Sequence, residues 1–361
     1  MGPAGQLDAV APTRAAVRAR GVDPWWGVAA GAFLLVSLVI GVLVGPLDIE
    51  AGDILRSALA KLGLVDASPL DATQEAVLWD LRVPRVVLAA LVGGMLALAG
   101  ATYQGVFHNP LADPYLLGVA AGAGLGATLA IAYLPRVFDG HELLPVAAFL
   151  GGAAAVVVTW AIGRTAGHER DATTFVLAGV VVASFFTAVQ TFVQQQNTET
   201  LQEVYSWILG ALPSSGWSDV LILLPYVVVA SAVILVLRRV LDVLSLGEAE
   251  AASLGVSVGR TRLLLVAAAT VGTAAAVAVS GLIAFVGIIV PHTIRLLTGT
   301  SYRGLLPLSF VVGAGFLVLC DVIARTALSP AELPIGVVTA LFGGPFFVLV
   351  LRRTIRGGGG A

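Results

Sequence analysis

The sequence predicts an all-α, polytopic membrane protein with about ten transmembrane helices, arranged as two inverted five-helix halves. The 361 residues are 58% hydrophobic and only 12% charged, and the mean hydropathy is +0.96. These values lie outside the range of soluble domains. About ten apolar runs are long enough to cross or enter a bilayer. A short sequence also recurs in the fifth and the tenth of these runs.

The chain begins with a polar segment, residues 1–24, rich in alanine and arginine. Trp25 and Trp26 follow as an interface anchor, and the apolar run after them has no evident cleavage site, which favours a retained first span. We therefore expect a disordered cytoplasmic tail at 1–24, a ten-helix domain at 25–353 and a flexible cytoplasmic tail at 354–361. The predicted spans are 25–45, 85–107, 116–134, 144–163, 173–194, 218–237, 262–281, 283–297 (a short, partial crossing), 304–324 and 334–351.

The distribution of lysine and arginine predicts the orientation of these spans. If the N-terminus is cytoplasmic, fourteen of the 20 basic residues face the cytoplasm, as the positive-inside rule requires. The first external segment is instead acidic. An even number of spans then returns the C-terminus to the cytoplasm. The basic residues left outside are Arg56, Lys61, Arg82, Arg85, Arg136 and Arg325.

The recurring sequence indicates an internal repeat. Residues 179–185 (GVVVASF) and 336–342 (GVVTALF) match at five of seven positions. Spans five and ten run in opposite directions, as two inverted halves require, and such halves often form a transport path at their interface. We expect Gly179, Val182, Gly336 and Thr339 to line that path. The alternative is close helix packing in a chain rich in small residues.

The sequence lacks the residues that several kinds of chemistry require. Lys61 is the only lysine, and no glycine-rich phosphate-binding pattern precedes it. The four histidines are scattered without metal-ligand spacing, and no catalytic set can be assembled. Span interiors are nearly free of charge, which disfavours an ion-coupled carrier. Asp321 is interpreted as an i,i+4 partner of Arg325, and Cys320 as a small packed hydrophobe.

Four stretches resemble a known family and keep its motif order. They begin at Leu81 (LRVPRVVLAALVGGMLALAGATYQGVFHNPLADPYLLGVAAGAG), Leu246 (LGEAEAASLGV), Gly281 (GLIAFVGIIVPHTIRLLTG) and Asp321 (DVIARTALSPAELPIGVVTALFGGPFF). Together they resemble the membrane permease subunits of type II ATP-binding-cassette (ABC) importers, which take up iron-siderophore complexes, cobalamin and haem. The resemblance covers most of the chain.

The resemblance implies a transport subunit rather than an enzyme, in the prokaryotic cell (inner) membrane. The expected partners are a second copy of the chain, two ATPase subunits, one substrate-binding protein and membrane lipid, with no nucleic acid. ATP and Mg would be used by the ATPase, and this chain would bind no cofactor or metal. The expected substrate is a metal chelate: iron-siderophore first, cobalamin or a related corrinoid second, haem third. The alternative function is an ion-coupled secondary transporter that acts without an ATPase, and a membrane-bound enzyme is a third possibility.

The resemblance also implies a cytoplasmic gate in the turn between the second and third spans. Two prolines remove backbone donors and stiffen this turn, and Leu111 could seal a pathway by excluding water. A plain tight turn is the alternative. The expected gate residues are Asn109, Pro110, Leu111, Asp113 and Pro114, with Asp171 and Ala172 at the start of the fifth span as a second element. Asp171 could instead cap that helix.

Two contact regions complete the implied site. In the loop at about 240–260, glycines bound a short helix that resembles an ATPase-coupling helix, and a solvent-facing helix is the alternative. Its expected residues are Gly247, Glu248, Glu250, Ala251, Ala252, Leu254 and Gly255. Arg82, Arg85 and Arg325 are expected to receive acidic residues of the binding protein. They could instead reach lipid headgroups or pair with Asp80 and Asp321.

Overall fold

The computed structural model describes residues 23–134, 143–165, 172–212 and 216–357, which are helical apart from turns and one isolated bridge. The α-helices are α1 (Pro24–Leu43), α2 (Ala51–Lys61), α3 (Ala72–Ala76), α4 (Val83–Val106), α5 (Val119–Tyr133), α6 (Leu144–Thr165), α7 (Ala172–Gln196), α8 (Leu201–Ile208), α9 (Trp217–Leu244), α10 (Glu248–Ser253), α11 (Val258–Ser280), α12 (Val286–Thr298), α13 (Tyr302–Thr326) and α14 (Ile335–Gly357). A π-helical turn, Val77–Arg82, joins α3 to α4.

Ten apolar helices lie at the positions of the ten predicted spans. Within the described ranges, seven helices are long and apolar enough to cross a membrane. Val119–Tyr133 and Val286–Thr298 are shorter, whereas α14 runs for 23 residues. Only the eighth span was expected to be short, so the prediction was wrong for the third. The second span also begins earlier than expected, because the helix continues back through the π-helical turn to Ala72.

The two ends of the bundle differ in charge. The acidic end is formed by residues 44–82, 197–212 and 327–334, and it includes Arg85 and Glu332, which join the start of α4 to the loop before α14. The basic end is formed by residues 107–118, 238–262 and 295–303, which contain Arg238, Arg239, Arg260, Arg262, Arg295 and Arg303. A hydrogen bond from His108 to Leu244 O joins the turn after α4 to the end of α9.

The core of the bundle is α4, which is buried along most of its length. Helices α9, α11, α12 and α13 pack around it. The backbone at Gly93 lies against the backbone at Gly313 of α13, where a larger side chain would clash. Small residues therefore bring the central helices together, as is usual in membrane bundles.

The two halves of the chain contain the same local arrangement. Helix α5 follows Gly118, at φ 84°, and α12 follows Phe285, at φ 70°, both in the left-handed region. Gly179 of α7 packs on the backbone before α5, and Gly336 of α14 packs on the backbone before α12. Helix α14 begins beside α8, which follows the end of α7, so α7 and α14 run in opposite directions. This correspondence supports the predicted inverted repeat.

Candidate functional site

The turn between α4 and α5 is built from two side-chain-capped turns. Asn109 Oδ1 accepts a hydrogen bond from Leu111 N at 2.9 Å, and Asp113 Oδ1 accepts one from Tyr115 N at 2.8 Å. These bonds satisfy backbone donors next to the two prolines. Ala112 is fully buried, whereas Leu111 is 38% exposed. The turn therefore has an anchored body and an exposed apolar tip.

The base of this turn is fastened to the second half of the chain. The Tyr115 hydroxyl donates to Ile283 O at 2.9 Å and accepts from Ile283 N at 3.0 Å. Gln104 Nε2 donates to Gly287 O at 3.0 Å, and Gln104 Oε1 accepts from Arg295 at 2.8 Å. The turn is therefore connected by hydrogen bonds to α12 and to the segment before it.

Asp113 lies in a partly enclosed site beneath the turn. Burial raises the pKa of its carboxyl to about 6, and the hydrogen bond from Tyr115 N opposes that rise. Desolvation disfavours the charged form of a carboxylate, which is why the shift is upward. The protonation of this group therefore changes in a range where most aspartates are already charged.

The second predicted gate element cannot be compared with the structure. Asp171 lies outside the described residues, and Ala172 is the first residue of α7, with nothing described of its side chain.

The short helix α10 is bounded by two glycines with positive φ, Gly247 at 125° and Gly255 at 83°. A side chain at either position would be strained. Glu248 forms an ion pair with Arg262 of α11, which fixes the helix to the bundle. Glu250, Ala252 and Leu254 are exposed, but Ala251 is fully buried. The prediction of Ala251 as a partner contact is therefore corrected, because its methyl group packs inside the chain.

The three arginines at the acidic end are mostly buried, and their docking with a binding protein stays a prediction. Arg82 is 4% exposed and donates to the carbonyls of Val42, Leu43 and Leu47. Arg325 is 3% exposed and donates to Gly41 O. These carbonyls belong to the end of α1 and the segment after it, where helical partners are missing. Two of the three guanidinium groups thus serve as internal caps.

The third arginine belongs to a charge network. Arg85 lies 2.9 Å from Asp321 Oδ1 and 2.8 Å from Glu332 Oε2. Asp321 also pairs with Arg325 at 3.5 Å, which confirms the predicted i,i+4 pair, although Arg85 makes the shorter contact. The three arginines and Glu332 line one cleft of about 190 Å³.

Comparison with known proteins decides the family. The profile of the FecCD transport family matches residues 33–353. The chain belongs to the FecCD transport family. It is 39% identical over 364 residues to the cobalamin import system permease protein BtuC of Halobacterium salinarum, covering 92% of this chain and 97% of that protein. It is 34% identical over 332 residues to the Fe(3+) dicitrate transport system permease protein FecC of Escherichia coli, covering 91% and 96%.

A solved structure agrees with this assignment. A chain from an inward-facing, metal-chelate type ABC transporter aligns with a TM-score of 0.80 at 30% identity, covering 92% of this chain and 100% of that one. This FecCD protein is therefore a multi-pass permease subunit of an ABC importer. Importers of this kind work with ATPase and substrate-binding partners, so ATP hydrolysis belongs to another subunit. The alternative of a transporter acting without an ATPase has no support.

Of the four residues expected to line the pathway of the FecCD permease, Gly179, Val182 and Thr339 are buried and Gly336 is part-exposed. Val182 and Thr339 are 3% and 0% exposed, and Gly179 and Gly336 pack against backbone of neighbouring segments. Their side chains or backbones join helices within one chain. The free faces of α7 and α14 carry other, apolar residues, namely Leu177, Val180, Val181, Phe185, Leu341 and Phe342.

The contacts that fasten the turn were missed in the sequence. Gln104 is 2% exposed inside the apolar helix α4, and an amide in such a run needs a buried partner. That residue was a usable signal. Tyr115 gave none, because its partner lies 168 positions away and is a backbone peptide.

Proposed function

We propose that this permease forms, as a homodimer, the alternating-access pathway for a metal chelate, together with two ATPase subunits and one substrate-binding protein. The observation that carries the proposal is the turn 107–118, whose exposed tip is joined through Tyr115 and Gln104 to α12. Such a turn moves with the helices behind it, as a gate must. The ATPase would use ATP and Mg, and this chain would bind no cofactor.

The proposed orientation places the basic end in the cytoplasm, with both termini. Fourteen of the 20 basic residues support it. The gate turn and α10 then lie on the side where an ATPase is available. The acidic end faces the substrate-binding protein.

The proposed ATPase contact is the exposed surface of α10. Leu246 and Leu254 are each 66% exposed on either side of this helix, and Glu250 lies between them. Two apolar side chains around a charged one form a compact contact of the kind found at protein interfaces. Gly247, Gly255 and the Glu248–Arg262 ion pair hold the helix in place.

The proposed contact with the binding protein is narrower than the sequence suggested. Arg85 is 11% exposed at its side chain, beside Glu332, which is 47% exposed. A carboxylate from the binding protein would compete with Glu332 for Arg85. Arg82 and Arg325 support this site from beneath rather than forming it.

The proposed substrate class rests on what the relatives are named for. One is named for cobalamin and another for ferric dicitrate, and both substrates hold a metal in an organic ligand. An iron-siderophore complex is the first candidate, cobalamin or a related corrinoid the second and haem the third.

ATP-dependent uptake tests the proposal. Proteoliposomes would contain this chain, its ATPase and its binding protein, and would be offered labelled ferric siderophore, cobalamin or haem. We expect uptake of one chelate that requires ATP and the binding protein. Chelate uptake that persists without the ATPase would contradict the proposal. ATP hydrolysis stimulated by the binding protein with no chelate entering would contradict the substrate class alone.

A further inference from the structure

A cavity of about 370 Å³ lies at the acidic end, away from the gate turn and α10. Helices α5, α6, α8, α9 and the end of α11 surround it. Its polar lining consists mainly of Glu203, Ser206, Asp219 and Ser280, with Trp207 on one wall. The cavity therefore presents two carboxylates and two hydroxyl groups within one chain.

Asp219 is the unusual member of this lining. It is 8% exposed, and its Oδ2 atom has no hydrogen-bond partner among the described residues. Neither Asp219 nor Glu203 forms an ion pair with a described lysine or arginine. A buried carboxylate without a partner is costly. Among the described residues, the site contains no positively charged hydrogen-bond donor.

A second, apolar groove continues from this cavity. It has a volume of about 120 Å³ and is lined by Val146, Phe149, Ile222 and Tyr226 between α6 and α9. Pro145, Ala278 and Val279 line both spaces, so the polar cavity and the groove are contiguous. Val146 and Ile222 are 51% and 50% exposed, and the groove therefore opens on the outside of the bundle, where lipid lies.

We propose that the cavity and groove together bind a phospholipid with a primary ammonium headgroup, of the phosphatidylethanolamine class. The ammonium group would donate to Asp219 and Glu203, and an acyl chain would lie in the groove. A primary ammonium has three N–H donors, whereas a quaternary one has none. An anionic headgroup would be repelled by both carboxylates. The site is independent of the proposed transport function.

Native mass spectrometry of the full chain in detergent tests the lipid preference. We expect phosphatidylethanolamine to bind at least tenfold more tightly than phosphatidylcholine or phosphatidylglycerol of the same acyl composition. Asp219→Asn should weaken phosphatidylethanolamine binding at least tenfold. Glu199→Gln is the matched control, since Glu199 is an exposed acidic residue near α8 that does not line the cavity. That control should bind as the wild type does.

A groove variant separates a lipid from a small soluble cation. Ile222→Trp fills the exposed groove and leaves the carboxylates in place, so it should weaken phosphatidylethanolamine binding severalfold. If free ethanolamine binds as tightly as the lipid, or Ile222→Trp has no effect, the lipid assignment is wrong. Equal binding of the three lipids, or unchanged binding by Asp219→Asn, would overturn the carboxylate site. Should Asp219→Asn not fold, Glu203→Gln and Ile222→Trp decide by the same criteria.

Discussion

The two ends of the bundle use charged residues in different ways. At the acidic end, Arg82, Arg85 and Arg325 are directed inward onto helix-end carbonyls and Asp321. At the basic end, Glu250 and Leu254 of the α10 region are directed outward and have no partner in the described structure. The comparison indicates that the charges at the acidic end hold helices together, whereas those of α10 at the basic end leave an exposed surface, which we propose as the ATPase contact.

The difference follows from where the helices end. Helix α1 ends beside α4 and α13, and its last carbonyl groups have no helical partner. Arginine supplies several donors in a fixed arrangement and is hard to deprotonate, so it suits such a buried position. Helix α10 is short and turns at two glycines, and most of its surface remains free.

Arg325→Gln should give the largest effect on stability. It removes the donor to Gly41 O and leaves Asp321 with one buried partner fewer, which should cost about 3–5 kcal/mol. The measurement is the unfolding midpoint in detergent. Arg303→Gln is the control at the basic end, because Arg303 is 57% exposed in its pair with Asp242. It should lose at most about 1 kcal/mol. Equal losses would remove the contrast between the ends.

Tyr115→Phe tests whether the basic end also has a fixed part. The change leaves the buried N–H and C=O of Ile283 without their hydrogen-bond partner, which should lower the free energy of unfolding by about 3 kcal/mol. Denaturant unfolding of the purified chain measures it. Tyr133→Phe also removes one hydroxyl, but Tyr133 is 40% exposed, so this variant should lose less than about 1 kcal/mol. A neutral Tyr115→Phe would mean that the turn is not fastened to α12.

The pH dependence of stability tests whether the Asp113 carboxyl is also held in a buried, fixed part of the basic end. Its pKa in the folded chain is about 6, above the ordinary value of 3.8. Between these two values the folded chain retains a proton that the unfolded chain has lost, so stability falls as pH rises and is level above that window. The expected loss is about 2 kcal/mol after solvent screening of this half-buried group.

Thermal unfolding of wild type and Asp113→Asn from pH 4 to pH 7 measures this loss. The wild type should lose stability relative to Asp113→Asn across the window. Parallel curves for the two proteins would show that Asp113 does not titrate there.

Glu250→Arg should give the smallest effect on stability, below about 0.5 kcal/mol, because Glu250 is exposed and forms no ion pair with a described residue. It should nevertheless abolish binding of the ATPase or uncouple ATP hydrolysis from uptake. The control is Glu199→Arg at the acidic end, which should leave both unchanged. Normal uptake by Glu250→Arg would show that α10 is a solvent-facing loop helix and not an ATPase contact.

The sequence predicted the helices and the position of α10 well, because apolar length and flanking glycines are local signals. The orientation inferred from fourteen of the 20 basic residues stays a prediction. The roles of Arg82 and Arg325 could not be predicted, since they depend on where α1 ends in space. The roles of Gly179 and Thr339 could not be predicted either, because small residues are equally typical of close helix packing and of a pathway lining. The short length of α5 was not predicted, because the apolar residues 116–118 just before it extend its apolar run in the sequence.

The most direct test of the account is ATPase binding by Leu254→Asp. Leu254 is 66% exposed beside α10, so a carboxylate there should spare the fold and disrupt an apolar contact. Size-exclusion chromatography with light scattering would compare the complex formed by wild type, Leu254→Asp and Arg325→Gln. The account predicts that Leu254→Asp remains folded and no longer binds the ATPase, while the folded fraction of Arg325→Gln still binds it. Wild-type binding by Leu254→Asp would contradict the account.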